Sequence, residues 1–274
     1  MKTSTPSQVL SYTLLVLCSI ILLFPLWVTL STSLVPNSDA MRPPANLFPF
    51  NFNPQNYEDV FRQVPIARFL FNSFVQSGIV TFGQIITASL AAYAFAFIPF
   101  KGRNLMFFIF LATLMIPWEV TIIPNFQTIR QLKWTDTFQG LTAPFLATAF
   151  GTFLLRQSFM TIPRELYDAA VMDGAGHVRY LSTVVLPLSR PALGTLAVYS
   201  FVNSWNQFFW PLLVTNEKTM RTVQIGIAML QAEESTQWNI VMAGAVLALL
   251  PTFLLLLFGQ KQLIRGLTAG ALKG

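Results

Sequence analysis

Asp, Glu, Lys and Arg are absent from six stretches of this chain, 3–38, 69–100, 104–118, 137–155, 191–216 and 235–260, and crowd into the intervals between them. A helix needs roughly 20 predominantly apolar residues to cross the hydrocarbon core of a bilayer. Five stretches reach or nearly reach that length, and the short one, 104–118, continues past Glu119 into Val120-Thr121-Ile122-Ile123. The pattern predicts an all-α, polytopic membrane protein with six transmembrane helices near 9–30, 70–97, 104–124, 138–155, 190–213 and 239–259. No Gly/Ser linker, low-complexity tract or internal repeat divides it, so residues 1–274 read as a single transmembrane domain. The first span exceeds the about 7–15 residues of a secretory h-region and no small-residue cleavage site follows it, which makes it a retained helix. Between the first two spans, 35–68 is rich in Pro, Asn and Phe and reads as an irregular loop on the outer surface.

Composition then excludes classes. Hydrophobic residues make up 54% of 274 positions and charged ones 10%, against about a quarter charged in soluble domains. The single cysteine, Cys18, allows no intramolecular disulfide. With both termini in the cytoplasm, the inner segments hold Lys2, Lys101, Arg103, Arg156, Arg164, Arg179, Arg190, Lys261, Arg265 and Lys273. The outer ones hold Arg42, Arg62, Arg68, Arg130, Lys133, Lys218 and Arg221, three of them in the long 35–68 segment. Short loops weigh most in the positive-inside rule, so the net charge of +6 is a topology signal rather than a nucleic-acid footprint. Trp134 and Trp238, at span edges, suit interface anchoring.

The interval 164–187 is a charged, helix-shaped island: Arg164-Glu165-Leu166-Tyr167-Asp168-Ala169-Ala170-Val171-Met172-Asp173-Gly174-Ala175, ending at Leu186-Pro187. Thr161 is a fitting N-cap, with Pro163 and Glu165 in the first turn, where a missing N–H is harmless and a carboxylate is favoured. Leu166, Ala169, Ala170 and Asp173 share a face. Gly174 is suited to a left-handed C-cap. Ala175 to Val185 reads as a second short helix stopped at Leu186-Pro187. The small Ala169 and Ala170 let another protein approach closely, and the acids and Arg179 can pair across such a contact.

Chemistry is otherwise sparse. No G-x-x-x-x-G-K-[ST] phosphate loop occurs, the only histidine is His177, no cluster has metal-ligand spacing, and Ser73, Ser200 and Ser204 lack a histidine partner within the membrane. No residue is assigned a catalytic role. Polar residues inside spans are costly and face a bundle interior or a water-filled path. The densest set is Asn203-Ser204-Trp205-Asn206-Gln207, with Trp210 nearby; Trp118-Glu119 lies between Pro117 and Pro124, and Gln76, Gln84 and Tyr93 are weaker candidates. Carboxamides and indoles suit a neutral, hydroxyl-rich solute, while interhelical hydrogen bonding is the equally open structural role.

Asp168-Ala169-Ala170, Asp173-Gly174-Ala175 and Leu186-Pro187 resemble the EAA loop of the membrane subunits of ATP-binding-cassette (ABC) importers, with Asp168 in place of the usual Glu and Gly176 where many relatives carry Ser or Thr. The tail Gly266-Leu267-Thr268-Ala269-Gly270-Ala271-Leu272-Lys273-Gly274 resembles that of the maltose-transporter type, the carbohydrate-uptake subfamily. With Asn72-Ser73 and Trp205–Leu212, the likeness covers essentially the whole chain. It implies a type I ABC importer permease fold in the bacterial inner membrane and a cytoplasmic coupling helix within loop 157–189. Glu165, Tyr167, Asp168, Ala169, Ala170, Met172, Asp173, Gly174 and Ala175 would then face the ATPase, with Trp118, Glu119, Asn203, Trp205, Asn206, Gln207 and Trp210 along the solute path. Implied partners are a second homologous permease, two ATPase subunits and an external solute-binding protein. ATP and Mg2+ would sit on the ATPase, leaving this chain without a cofactor. Phe153-Leu154-Leu155-Arg156-Gln157, Trp205–Leu212 and Thr236-Gln237-Trp238-Asn239 look most like glycerol-3-phosphate uptake permeases, yet no Lys or Arg lies within a span to meet a phosphate. A neutral sugar or polyol stays open. The competing class, a channel or structural membrane protein without ATP coupling, has no use for a docking loop.

Overall fold

The computed structural model describes residues 5–40, 48–231 and 236–268, and among them only helices, turns and irregular segments occur. Two compact units separate: one from the chain up to Ala67 with Ile225–Leu250, the other from Arg68–Gln224 with the segment beyond Pro251.

In the first unit, α1 (Thr5–Thr32) is apolar all round, and every residue from Gln8 to Trp27 is exposed, as expected of a helix bathed in lipid or covered by another chain. The segment 35–68 is not the irregular loop that its composition suggests. It holds a short turn of helix, α2 (Asn37–Ala40), and an amphipathic helix, α3 (Gln55–Gln63). Pro43-Pro44 lie outside the described residues. The reason for α3 is Asn56. It is buried, and its amide donates to the carbonyls of Ser33 at 2.8 Å and Val35 at 2.9 Å while its oxygen accepts from Asn53 and Asn239 at 3.1 and 2.8 Å.

In the second unit, α4 begins at the unit boundary and runs unbroken (Ile66–Phe97). Next, α5 (Arg103–Ala112) passes through a 3-10 turn into α6 (Trp118–Gln131), with a bend of 94°. Pro117 causes it: the residue before proline is forced out of the α region, and Ile116 sits at φ −84°, ψ 113°. The expected fourth span is likewise α7 (Phe138–Thr142), extended by a 3-10 turn containing Pro144, and α8 (Ala149–Phe159), bent by 50° at the break that follows the turn. Then come α9 (Arg164–Met172), α10 (His177–Tyr180), a π-helical turn over Leu181–Val185 and α11 (Leu186–Leu188). The fifth span is α12 (Arg190–Trp205), broken at 206–208 and resumed as α13 (Phe209–Val214).

The chain closes through α14 (Val223–Gln231), absent from the sequence reading, and α15 (Trp238–Thr268). Side chains from Lys261 onward, which carry the terminal glycine-rich pattern, lie outside the described residues, as do Lys2, Arg42, Glu233 and Glu234. Three helices, at Gln8–Thr32, Ile66–Phe97 and Trp238–Gln260, are long and apolar enough to cross a bilayer unbroken. Three bent pairs bring the number to six if each counts as one span: the two above, and His177–Leu188 with Arg190–Trp205, which meet at 82°. The bent spans were expected straight. Hydropathy averages over a window and is blind to where the backbone turns.

Candidate functional site

The 157–189 loop is built on the core of the second unit. Pro163, at φ −58° and ψ 139°, is the N-cap of α9, and the Thr161 hydroxyl donates to Ser158 O at 2.7 Å instead of capping the helix. Extended backbone at Pro163 puts Thr161 too far back to reach the first free amides. At the other end Gly174 adopts φ +74° as expected. Its N–H donates to Val171 O at 3.0 Å and that of Ala175 to Ala170 O at 2.8 Å, the paired bonds of a Schellman end. The following helix does not stop at Leu186-Pro187: it continues to Leu188, because the wider π turn of Leu181–Val185 precedes the proline that cannot donate to Thr183 O.

Tyr167 and Ala170 turn inward and pack against the buried cluster that contains Leu155, Phe159, Tyr180 and Leu181. The inward face is therefore made by Tyr167 and Ala170, with Leu166, Ala169 and Asp173 exposed. Tyr167 stacks on Phe97 (6.3 Å, 18°) and on His177 (6.4 Å, 22°), and Tyr180 meets it edge-on at 5.2 Å. Burial pushes the Tyr180 hydroxyl above its ordinary pKa, and Tyr167 and Asp168 push the same way. Outward, the loop presents the carboxylates of Glu165, Asp168 and Asp173 around bare apolar side chains: Met172 is 82% exposed and Val178 81%.

The fifth span collects the second set of residues. Trp205 and Trp210 are buried at 2% and 1% exposure. Trp205 stacks on Phe201 at 5.7 Å. Trp210 Nε1 donates to Gly140 O at 3.0 Å, and its ring meets the edge of Trp118 at 5.7 Å, which in turn packs on Phe145 at 4.6 Å. Trp118 and Trp210 are thus one cluster. Asn203 is exposed and its amide returns to Tyr199 O in its own helix. At the break, Asn206 Oδ1 accepts from Gln224 at 3.3 Å, and Gln207 Oε1 accepts from Gln76 at 2.8 Å. Pro211 lies in the first turn of α13 and has no N–H for the Gln207 carbonyl, which places the break just ahead of it. Glu119 stands apart, exposed in the first turn of α6 where the helix dipole favours a carboxylate.

Gln76 and Gln84 take a larger part than the sequence suggests. Gln84 accepts from Ser200 at 2.5 Å and donates to Phe145 O at 2.8 Å, so both glutamines face the fifth span. Asp136 was missed altogether. Its carboxylate accepts from the amides of Asn216 and Glu217 at 2.6 and 2.8 Å and clamps the turn before α7 to the segment after α13; nothing local in the sequence signals a partner eighty positions away. The polar groups around the break are amides and hydroxyls without charge. They can exchange hydrogen bonds with an uncharged polyhydroxylated solute or with one another.

Residues 84–268 match the family described as binding-protein-dependent transport system inner membrane component. The sn-glycerol-3-phosphate transport system permease protein UgpE of Agrobacterium fabrum is 39% identical over 270 residues, covering 95% of this chain and 96% of that protein. The protein of the same name from Yersinia enterocolitica is 38% identical over 268 residues, with 95% of each covered. Among solved structures, a chain of a bacterial ABC transporter involved in the import of the acidic polysaccharide alginate superposes with a TM-score of 0.77 at 22% identity, covering 95% of this chain and 99% of that one. A bacterial alginate ABC transporter in complex with an alginate pentasaccharide-bound periplasmic protein gives 0.65 at 15% identity, covering 93% of each chain. Bent spans, a capped polar helix outside them and a family match over most of the length agree: the chain belongs to the inner membrane components of binding-protein-dependent transport systems, as the permease subunit of an ABC importer.

Proposed function

We propose that this permease imports sn-glycerol-3-phosphate or a closely related glycerol-derived or sugar solute, as half of a pore completed by a second, homologous permease. Two ATPase subunits that hold ATP and Mg2+ dock on the cytoplasmic side, where both termini of this chain also lie, and a solute-binding protein delivers from outside. The observation that carries the docking is the bare apolar surface of α9 and its turn. Met172 and Val171 (52% exposed) on α9, and Val178 just past the turn on α10, stand bare beside a helix that is packed from behind. Each such side chain gains about 1.5–3 kcal/mol on full burial, so a cleft that covers them binds usefully while the carboxylates set its orientation. One docking helix per chain matches one ATPase, and an ATPase dimer calls for two permeases.

The substrate assignment rests on relatives that share 38–39% of their residues along nearly the full length. The uncharged lining contributed by this chain leaves the phosphate to the partner permease. Uptake into vesicles holding the complete transporter tests it: sn-glycerol-3-phosphate is taken up and a neutral disaccharide is not. Import of the disaccharide alone would reverse the assignment.

The break in the fifth span supplies hydrogen bonds to the solute. Discontinuous helices near the membrane midplane are where transporters form such sites. Losing one hydrogen bond is worth about 0.5–1.5 kcal/mol, so Asn206→Ala lowers transport per intact complex roughly 2- to 10-fold at unchanged yield. Gln207→Ala lowers the yield as well, because it strands the Gln76 amide inside the protein. Asn203→Ala, which loses a bond within its own helix, leaves yield unchanged. Equal loss of yield in Asn206→Ala, with normal transport per complex, removes this residue from the path.

A further inference from the structure

One unbroken helix joins the two sets of residues. Along the buried side of α4 run Gln76, Val80, Gln84, Ala88 and Ala92 at four-residue steps, followed by Tyr93. Toward one end of this row Gln76 and Gln84 bond Gln207 and Ser200 of the fifth span. At the other, Tyr93 Oη and His177 Nδ1 share a hydrogen bond at 2.9 Å. Tyr93 is only 4% exposed, in a cluster with Phe97 at 5.1 Å and Tyr180 at 6.3 Å. His177, the first residue of α10, follows within three residues of the Gly174 turn that ends the docking helix. Ring packing tolerates sliding, whereas a directional hydrogen bond holds one register. His177 is itself exposed, but the Tyr93 hydroxyl sits on a buried ring, and breaking the bond costs it this partner.

We infer that the Tyr93–His177 bond is a positioning contact that pins the docking loop to α4, so that displacement of the loop by the ATPase reaches the break in the fifth span about 26 Å along the helix axis at Gln76. This rests on the docking reading above. It assigns Tyr93 and His177 to coupling and not to solute contact.

The test is solute imported per ATP hydrolysed, per intact complex, with the complete transporter reconstituted in vesicles. Tyr93→Phe keeps the ring and removes the hydroxyl; the ratio falls roughly 2- to 10-fold, the span of one hydrogen bond. His177→Ala falls as far, and the double variant falls no further than either single, because both remove the same bond. His177→Asn, whose amide can partner the hydroxyl, keeps most of the native ratio. A native ratio in Tyr93→Phe, or single effects that multiply in the double variant, overturns the pin. Gly174→Val serves as the reference. If it uncouples while Tyr93→Phe does not, the pin alone is lost; if it too keeps the native ratio, and Asp173→Ala with it, the docking reading is lost as well.

Discussion

Gly174→Val is expected to leave the protein in the membrane and to cut solute uptake per ATP hydrolysed at least ~5-fold, since a side chain forced into a sparsely populated backbone region costs of order 1–3 kcal/mol. Gly174 sits at φ +74°, and a Cβ there would meet nothing within 4 Å. The whole penalty is therefore backbone conformation, and relieving it means giving up the bonds from Gly174 and Ala175 that close α9. A grading follows that crowding could not produce: Val worst, Ala intermediate, Asn nearly native, because Asn tolerates the left-handed region. Asp173→Ala removes one exposed carboxylate beside the turn and should be milder than Val. Vesicle uptake measured alongside ATP hydrolysis decides it; native coupling in both Gly174→Val and Asp173→Ala would sink the docking role of this loop.

The other large effect is expected at Gly140, where even Gly140→Ala should reduce intact complex about tenfold. A Cβ at this position collides with the carbonyl oxygen of Trp134. That oxygen cannot retreat: it accepts from the Thr137 hydroxyl at 2.7 Å, and the same hydroxyl caps α7 through Gly140 N–H. Around it Lys133 and Asp136 already occupy φ +58° and +56°, and Asp136 is clamped to Asn216 and Glu217. Overpacking commonly costs about 1–3 kcal/mol, and a rigid backbone atom offers less relief than a side chain. Trp210→Phe, which loses the indole bond to Gly140 O and part of the ring packed on Trp118 but moves no backbone, should be milder. Detergent-extracted yield and melting temperature are the readouts; a Gly140→Ala complex as abundant and stable as the native one would show that the turn can move.

How far the sequence carried depended on whether the physics was local. The second and sixth spans were legible because 69–100 and 235–260 are long, uninterrupted apolar runs. Gly174 was legible because a glycine just past a helical pattern has few other uses. The bend at Ile116-Pro117 and the break at 206–208 were not, since hydropathy reports apolarity and not direction. Helix α3 hid behind Asn-Tyr-Glu-Asp, a composition that belongs to loops unless a buried partner organises it. The Trp205 and Trp210 rings, expected to line the path, pack into the interior of this chain, and Gln76 and Gln84 declare themselves only through partners on a distant helix. Tyr93 and His177, 84 positions apart, carry no shared signal in the sequence at all.

The asparagine knot of the first unit sets an order of events during synthesis. Asn56 finds the Ser33 and Val35 carbonyls only 23 and 21 positions back, as soon as α3 forms. Its bond from Asn239 spans 183 positions and must wait until the final helix has left the ribosome and entered the bilayer. A chain cut short before Asn239 keeps the early bonds and never makes the late one. The tie between the segment that follows the first helix and the helix carrying Asn239 is therefore among the late contacts to form during translation.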